Sequence, residues 1–388
     1  MSIKITGAAL GQPKMWLNTL GDCWENVWAE DGNIYAVADD SNGIKENGET
    51  ILDRSDGPHT NFTVNVFTGN DADSLRGRTI NRMMEYGIAG PYPENITDGC
   101  SWKAMGITSV DNTLYVSIAR HDYSGSSEDY LLRQTSRNAS IIKSSDKGVT
   151  WTRPYDENLK SPMFPGGKFG APYFIHYRKA GDETAHNSDK YVYAISNNGF
   201  WNNGDSVKLG RVRKSAIGNL NAADWEYYAG GDGMNDGSWS KNINSVVNKK
   251  AGYLLNAPGK CSMTGAQYIE ALDRYVMIQW YYTAVMGVGG WDGMDSPWHE
   301  TVWNFYESPY PWGPWRRFSS HIFNPLAFYN PCIASKFISD DGKKLVIFTN
   351  GSFDTGKTSG NEFIYRLYTI ECELETDMSD ISLRQELS

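Results

Sequence analysis

The sequence predicts an all-β chain folded as a five-bladed β-propeller, and three features lead there. A strand–turn–strand pattern recurs five times along the 388 residues, starting near residues 21, 101, 168, 259 and 328. The spacing of roughly seventy to ninety residues leaves room for two further strands per unit, which is the four-stranded blade of a propeller. Aromatic residues form 13% of the chain, with 14 Trp and 23 Tyr, and helical periodicity is weak throughout; both favour strands. A propeller absorbs such a length as one architectural unit, so residues 1–388 are expected to form a single domain.

The first copy lies in GDCWENVWAEDGNIYAVADDSNG, from Gly21 to Gly43. Trp24 to Glu30 reads as one strand, Asp31-Gly32-Asn33 as the turn, and Ile34 to Ala38 as the return. Asp-Gly and Gly-Asn supply the positive φ angles that a short hairpin needs. The polar stretch Asp71 to Tyr86 is the one place where a helix is expected. The second copy turns at Asp111-Asn112, and the third connects its strands through Gly181 and Asp189. The fourth turns near Ala271 to Asp273, and the fifth at Asp340-Asp341-Gly342. Outer strands are legible in ASIIKSSD, SVKLGRVRK, WEYYAG, ETVWNFYESP, WRRFSS and EFIYRLYTIECEL. The segment SSDKGVTW, Ser144 to Trp151, resembles the Asp-box, a turn between outer strands of sialidase-like propellers. Its role there is a turn, and the sialidase arginine triad is not evident here.

Composition narrows the partners. A formal net charge of -10 argues against nucleic acid and anionic membrane surfaces. No apolar run is long enough to span a bilayer. The N-terminal MSIKITGAALG lacks a signal-peptide core, so the protein is expected to be secreted or periplasmic if a leader was removed, and otherwise cytoplasmic. Cys23, Cys100, Cys261, Cys332 and Cys372 are scattered, with no metal-ligand spacing and no inferable disulfide framework. No cofactor and no catalytic metal are expected. Gly231-Asp232-Gly233 and Asp236 could hold a structural Ca²⁺, although no complete loop motif is present.

The repeat also makes a geometric statement. If all five hairpins turn on one face, their open ends meet at the opposite face around the axis. The first contributes Asp22, Glu25, Asp39 and Asp40; the second, Trp102, Lys103, His121 and Asp122. The third contributes Lys168, Asn197 and Asn198; the fourth, Lys260, Trp280 and Tyr281; the fifth, Tyr329, Asn330, Asn350 and Asp354. Carboxylates among lysines, amides and stackable aromatics suit a sugar. Two carboxylates can divide the work of glycoside hydrolysis, and a nearby lysine holds one ionised while a drier neighbour stays protonated. The catalytic candidates are Asp22 and Asp40, with Glu25, Asp39 and His121 behind them; Asp22, nearest the axis, is expected as nucleophile or base. Trp24, Trp102, Lys103, Asp122, Lys168, Asn198, Lys260, Trp280, Tyr281 and Asn330 are expected to bind substrate. Trp201, Trp291 and Trp298 are candidate subsite walls, and Glu300 is a reserve acid.

The acidic first hairpin, with Asp22 at its start and Asp39-Asp40 at its close, is one of four features carrying a family resemblance. The others are the phrases KYVYAISNNGFWNNGDSVKLGRV, YESPYPWGPW and SDDGKKLVIFTN. Together they resemble a bacterial propeller family first catalogued as a domain of unknown function and associated with endo-D-arabinanase activity. More distantly, the chain is similar to five-bladed glycosidases acting on arabinan, xylan and fructan. The resemblance implies a propeller glycosidase whose carboxylates begin in blade one, at Asp22 and then Asp39 or Asp40. GDCWEN departs from the family's more usual Asp-Leu-Gly start, and ADDS from Gly-Asp-Thr, so the substrate could differ.

Three functions follow: a glycoside hydrolase acting on a polysaccharide or oligosaccharide, a polysaccharide lyase, or a non-catalytic carbohydrate-binding propeller. The lyase would use His121 or Tyr281 as base, with Lys103 or Lys260 neutralising a uronate.

Overall fold

The computed structural model describes residues 3–88, 98–123, 134–154, 162–182, 190–231, 237–246, 252–284, 300–324, 327–351 and 364–377. Within them the chain is nearly all β: helix is confined to Lys214–Ile217 and short 3-10 turns.

The first sheet pairs Thr19–Asp22 and Asn26–Trp28 with Ile34–Ile44, then adds Thr60–Thr68 and Arg76–Asn81. The second is Ser101–Val110, Thr113–Asp122 and Thr135–Ser144. A ten-stranded sheet follows in two antiparallel parts. Its earlier part holds Tyr173–His176, Tyr191–Asn197, Gly204–Arg213, Glu226–Gly230 and Ser238–Ser240, with Tyr253–Cys261 also paired to Gly204–Arg213. Its later part holds Ala266–Ile269, Arg274–Ala284, Glu300–Ser308 and Arg316–Phe323. One short parallel pairing joins them, Ile175 with Ala266 and His176 with Gln267. The last sheet is Tyr329–Ile333, Lys344–Asn350 and Leu367–Thr376, completed by Ile5–Leu10 and Lys14–Met15 from the start of the chain.

The turns form where the residue types allow them. Asp111 and Asn112 both take positive φ, 51° and 60°, closing the second hairpin in two residues. Asp273 ends the fourth turn in the left-handed region, φ 51°. The helix expected over Asp71 to Tyr86 does not form. Two 3-10 turns, Ala72–Ser74 and Met84–Tyr86, flank the strand Arg76–Asn81, which pairs with Thr60–Thr68. Tertiary packing decides it: Tyr86 is buried against Phe62 and Trp102, at ring distances of 5.2 and 5.7 Å.

The inner strands are covered on both faces. Ser101–Val110 is buried at every position, and its small and apolar residues let neighbouring sheets close on it. At Gly106 a Cβ would stand 2.9 Å from the Tyr173 Cα, so glycine is what lets these two backbones meet. Val37, Val64, Ile107 and Val116 fill the space between the first and second sheets. Trp24, Ala36, Phe67, Val346 and Phe348 fill that between the first and last. Each large side chain buried there contributes roughly 1.5–3 kcal/mol.

Ser144 to Trp151 folds as a turn closed on Asp146. Its carboxylate accepts from Ser144 Oγ at 2.8 Å, Thr150 N at 2.9 Å and Thr150 Oγ1 at 2.6 Å. Trp151 Nε1 donates to Gly148 O at 3.1 Å. The hydroxyl of Thr150 above all, with these other donors, lowers the Asp146 pKa to about 2. Asp146→Ala is expected to cost about 1 kcal/mol at neutral pH, since the site is exposed. The loss should vanish as pH falls from the ordinary carboxylate range through about 2, because the ionised form is the one stabilised. Urea titrations of parent and variant across that range check it; a pH-independent difference would mean that the carboxylate is not the source.

Candidate active site

Two backbone irregularities build the site. Asp22 lies opposite Asp39 in the first sheet. Beside each, a non-glycine residue adopts positive φ: Cys23 at 51° and Asp40 at 41°. Such angles cost of order 1–3 kcal/mol and persist where the surroundings impose them. Here the Cys23 N–H is held by Asn350 Oδ1 at 2.9 Å. The kink at Asp40 cancels the alternation of a regular strand, which would send neighbouring side chains to opposite faces. Asp39 and Asp40 consequently both reach the strand that carries Lys103. Asp39 Oδ1 accepts the Ala104 N–H at 2.9 Å, and Lys103 Nζ forms an ion pair with Asp40 Oδ1.

Around Lys103 the carboxyls separate electrostatically. Burial alone would raise Asp40, but the Lys103 ammonium and its hydrogen bond, with His59 and Arg54, together outweigh it and hold Asp40 below the usual carboxylate range. Tyr123 O–H donates to Asp40 Oδ2 at 3.1 Å. Asp22 behaves in the opposite way. Burial and then repulsion from Asp40 push its pKa to about 7, against the pull of Lys103 and hydrogen bonds from Tyr329 and Tyr365. Tyr329 O–H donates to Asp22 Oδ2 at 2.6 Å, while Asp22 Oδ1 is buried with no hydrogen-bond partner among the described residues. Burial also raises Asp39 well above its ordinary value. One carboxylate is thus held ionised beside two carboxyls that burial pushes towards the protonated form.

Aromatic residues wall this cluster. Trp201 packs on Trp280 and Tyr329 with ring centroids 5.2 and 5.4 Å apart, and Trp280 on Tyr282 at 5.3 Å; Trp280 is wholly buried, so it backs the site and, against expectation, is not a sugar platform. The Trp201 indole hydrogen-bonds the Cys23 thiol, which burial keeps protonated. Every sheet contributes: carboxyls from the first, Lys103 and, just past a strand end, Tyr123 from the second, Trp201 from the connection between Tyr191–Asn197 and Gly204–Arg213, Trp280 from the later part of the ten-stranded sheet, and Tyr329 from the last. Asp22, Cys23 and Asp39 each offer a ligand atom within 4.8 Å of one another, so this corner could close on a cation. Lys103 already supplies positive charge there.

Several expected residues lie elsewhere. Trp24 is not a sugar platform: it is wholly buried, donating Nε1–H to Gly21 O at 2.9 Å and packing on Phe67. The Cys23 kink resets the strand and turns Trp24 into the core. Trp102 is likewise buried, sandwiched by Tyr86 and the Arg120 guanidinium. Glu25 is sealed below the carboxyl cluster, accepting from Asn330 Nδ2 at 3.3 Å, and burial pushes its pKa to about 8. No saccharide reaches Glu25 or the equally buried Asn330. His121 is buried with Nδ1 3.1 Å from Ser136 Oγ and Nε2 2.7 Å from Gln134 Oε1. Burial lowers its pKa to about 4, so it is neutral with both nitrogens occupied. Asp122 forms an ion pair with Arg137 at 3.5 Å. Lys260 is exposed over the Tyr281 ring at 5.8 Å. Lys168 and Asn198 line a separate groove. Glu300 is tied to Thr283 Oγ1 at 2.6 Å and Asn324 Nδ2 at 3.3 Å. Trp291, Trp298, Asp354 and the acidic Asp232 and Asp236 lie outside the described residues.

Tyr123, Tyr282 and Tyr365 were missed. Tyr282 was within reach, since it sits two residues beyond Trp280 on one strand and shares its face.

No family model matches the chain, and no curated protein matches it. Among solved structures it is similar to a candidate hydrolase from Bacteroides ovatus, with 16% identity and a TM-score of 0.50, covering 93% of this chain and 87% of that one. An endo-arabinase from Bacteroides thetaiotaomicron overlays with 9% identity and a TM-score of 0.42, over 93% and 96% of the chains. A glycoside hydrolase family 43 arabinoxylan arabinofuranohydrolase from Bacillus subtilis, in complex with cellotetraose, gives 13% and 0.43, over 92% of this chain and 63% of that one. At such identities the likeness is one of fold.

Proposed function

We propose that the chain is a glycoside hydrolase acting on a polysaccharide or oligosaccharide, built as one five-bladed propeller with its site on the axis. The observation that carries this reading is the Lys103–Asp40 ion pair standing beside the buried, Tyr329-bonded carboxyl of Asp22, surroundings that lower Asp40 and raise Asp22 to about 7. Pairs pushed apart in this way divide acid and base work in glycoside hydrolysis. The division is the reverse of the sequence expectation. Asp22 serves as the acid that protonates the leaving oxygen, and Asp40 as the carboxylate facing the sugar or an attacking water. Asp39 tunes both from below. Five strand pairs whose open ends contribute to one cluster support the five-blade, single-domain reading.

The test is a polysaccharide panel followed by reducing-end release and ultraviolet absorbance. Hydrolysis gives new reducing ends without unsaturated sugars. Unsaturated product would overturn the reading in favour of a lyase. The pH profile adds a second check. kcat/KM should fall above about 7, as the acid Asp22 loses its proton. Its acid limb should lie below the ordinary carboxylate range, where Asp40 protonates. A profile that instead rises through pH 7 would return Asp22 to the role of base.

A further inference from the structure

A second feature lies away from the carboxyl cluster. An open groove of about 770 Å³ is lined by residues that include Lys168, Asn198, Asp205, Lys208 and Tyr253. Lys208 is 3% exposed, yet among the described residues no carboxylate forms an ion pair with it. Its ammonium lies 5.6 Å from the centroid of the Tyr253 ring. Burial lowers its pKa to about 8, with no acidic neighbour drawing it back. The Asp205 carboxylate in the same groove is committed to the Asn198 amide and the Gly259 N–H, each at 3.0 Å. Lys168 is exposed at the groove's edge and contacts the side-chain oxygen of Asn244.

A buried ammonium without a counter-ion is costly unless a ligand supplies the charge. The groove also provides what a sugar ring needs: an aromatic face at Tyr253 and amide groups for hydroxyls. It adjoins the axial site along the chain. Asn198 is three residues from Trp201, so their Cα atoms lie within about 11 Å. We propose that this groove is an acidic-sugar subsite, in which Lys208 and Lys168 receive the carboxylate of a uronate unit carried by the substrate. The substrate is then an acidic polysaccharide, a refinement that rests on the carbohydrate-hydrolase reading.

Calorimetric titration of the full chain tests it. The probes are trisaccharides containing glucuronate or galacturonate, and the same trisaccharides after carboxyl reduction to neutral sugars. At least one acidic probe should bind ten-fold or more tighter than its reduced partner. Lys208→Met should abolish the difference, and Lys168→Met, at an exposed position, should diminish it. Lys208→Met should melt no lower than the parent, because it removes a buried charge that lacks a partner. The proposal is overturned if no acidic probe binds, if the reduced probes bind equally well, or if the preference survives Lys208→Met. A Lys208→Met protein that melts lower would also overturn it, by making the amine structural. The hydrolase reading is judged separately, by reducing-end release: acidic preference without any turnover would sink that reading and leave the subsite standing.

Discussion

Asp22→Asn should lower kcat by about 10²–10⁴-fold with little change in KM. Asn is nearly isosteric, and its side-chain oxygen can still accept the Tyr329 hydroxyl that meets Asp22 Oδ2 at 2.6 Å. What it cannot do is give up a proton. Stability should move the other way, with a definite sign. The folded pKa of Asp22 is raised from 3.8 to about 7, so the folded state holds the proton more tightly than the unfolded chain. The parent therefore loses stability as pH rises across that interval. The Asn variant has no proton to lose, so it should gain on the parent between pH 5 and pH 8. Turnover on the substrate that the panel identifies, with urea titrations at the two pH values, checks both halves. Near-normal turnover would remove Asp22 from the chemistry; a stability difference that ignores pH would remove its proton.

Lys103→Met should have the largest effect on folding. Its side chain is 4% exposed and is the cation against which Asp40, Asp39 and Asp22 are set. Breaking a buried ion pair by removing one partner costs about 3–5 kcal/mol, because the other charge is left behind. Asp40 should then protonate more readily, which moves the acid limb of the pH profile towards neutrality and reduces activity. The double variant Lys103→Met with Asp40→Asn should recover most of the stability and none of the activity. A single variant as stable as the parent, with an unmoved acid limb, would show that the lysine is idle.

The hairpins and the meeting of Asp22 with Asp39 were legible because both are local. Asp111-Asn112 announces its turn by composition, and a hairpin brings its open ends together whatever else the chain does. The alternation of a strand likewise places Lys103 among the carboxyls. The positive φ angles of Cys23 and Asp40 were not legible, and they decide which side chains face the site. Trp24, counted from a regular strand, belongs to the open end; counted from the kink, it belongs to the core. Glu25 was misjudged for the same reason. The ordering of acid and base was hidden too, since sequence gives the carboxyls and the lysine but not their burial. The pairing of Ile5–Leu10 with Leu367–Thr376 leaves no local trace, because neither strand has a turn that points to the other.

That pairing also sets a timetable. Ile5 pairs with Thr376, so it leaves the ribosome hundreds of residues ahead of its partner. At about 5–20 residues per second, it waits on the order of 20–75 s for its partner to be made. Until then the edge that it completes is unfinished, and Lys344–Asn350 has nothing on its outer side. A nascent chain with open strand edges is exposed to pairing with its neighbours on the same message. The interval from the first strand's emergence to the last sheet's completion, and not the speed of any single hairpin, is the period in which this chain most needs to be kept apart from its own copies.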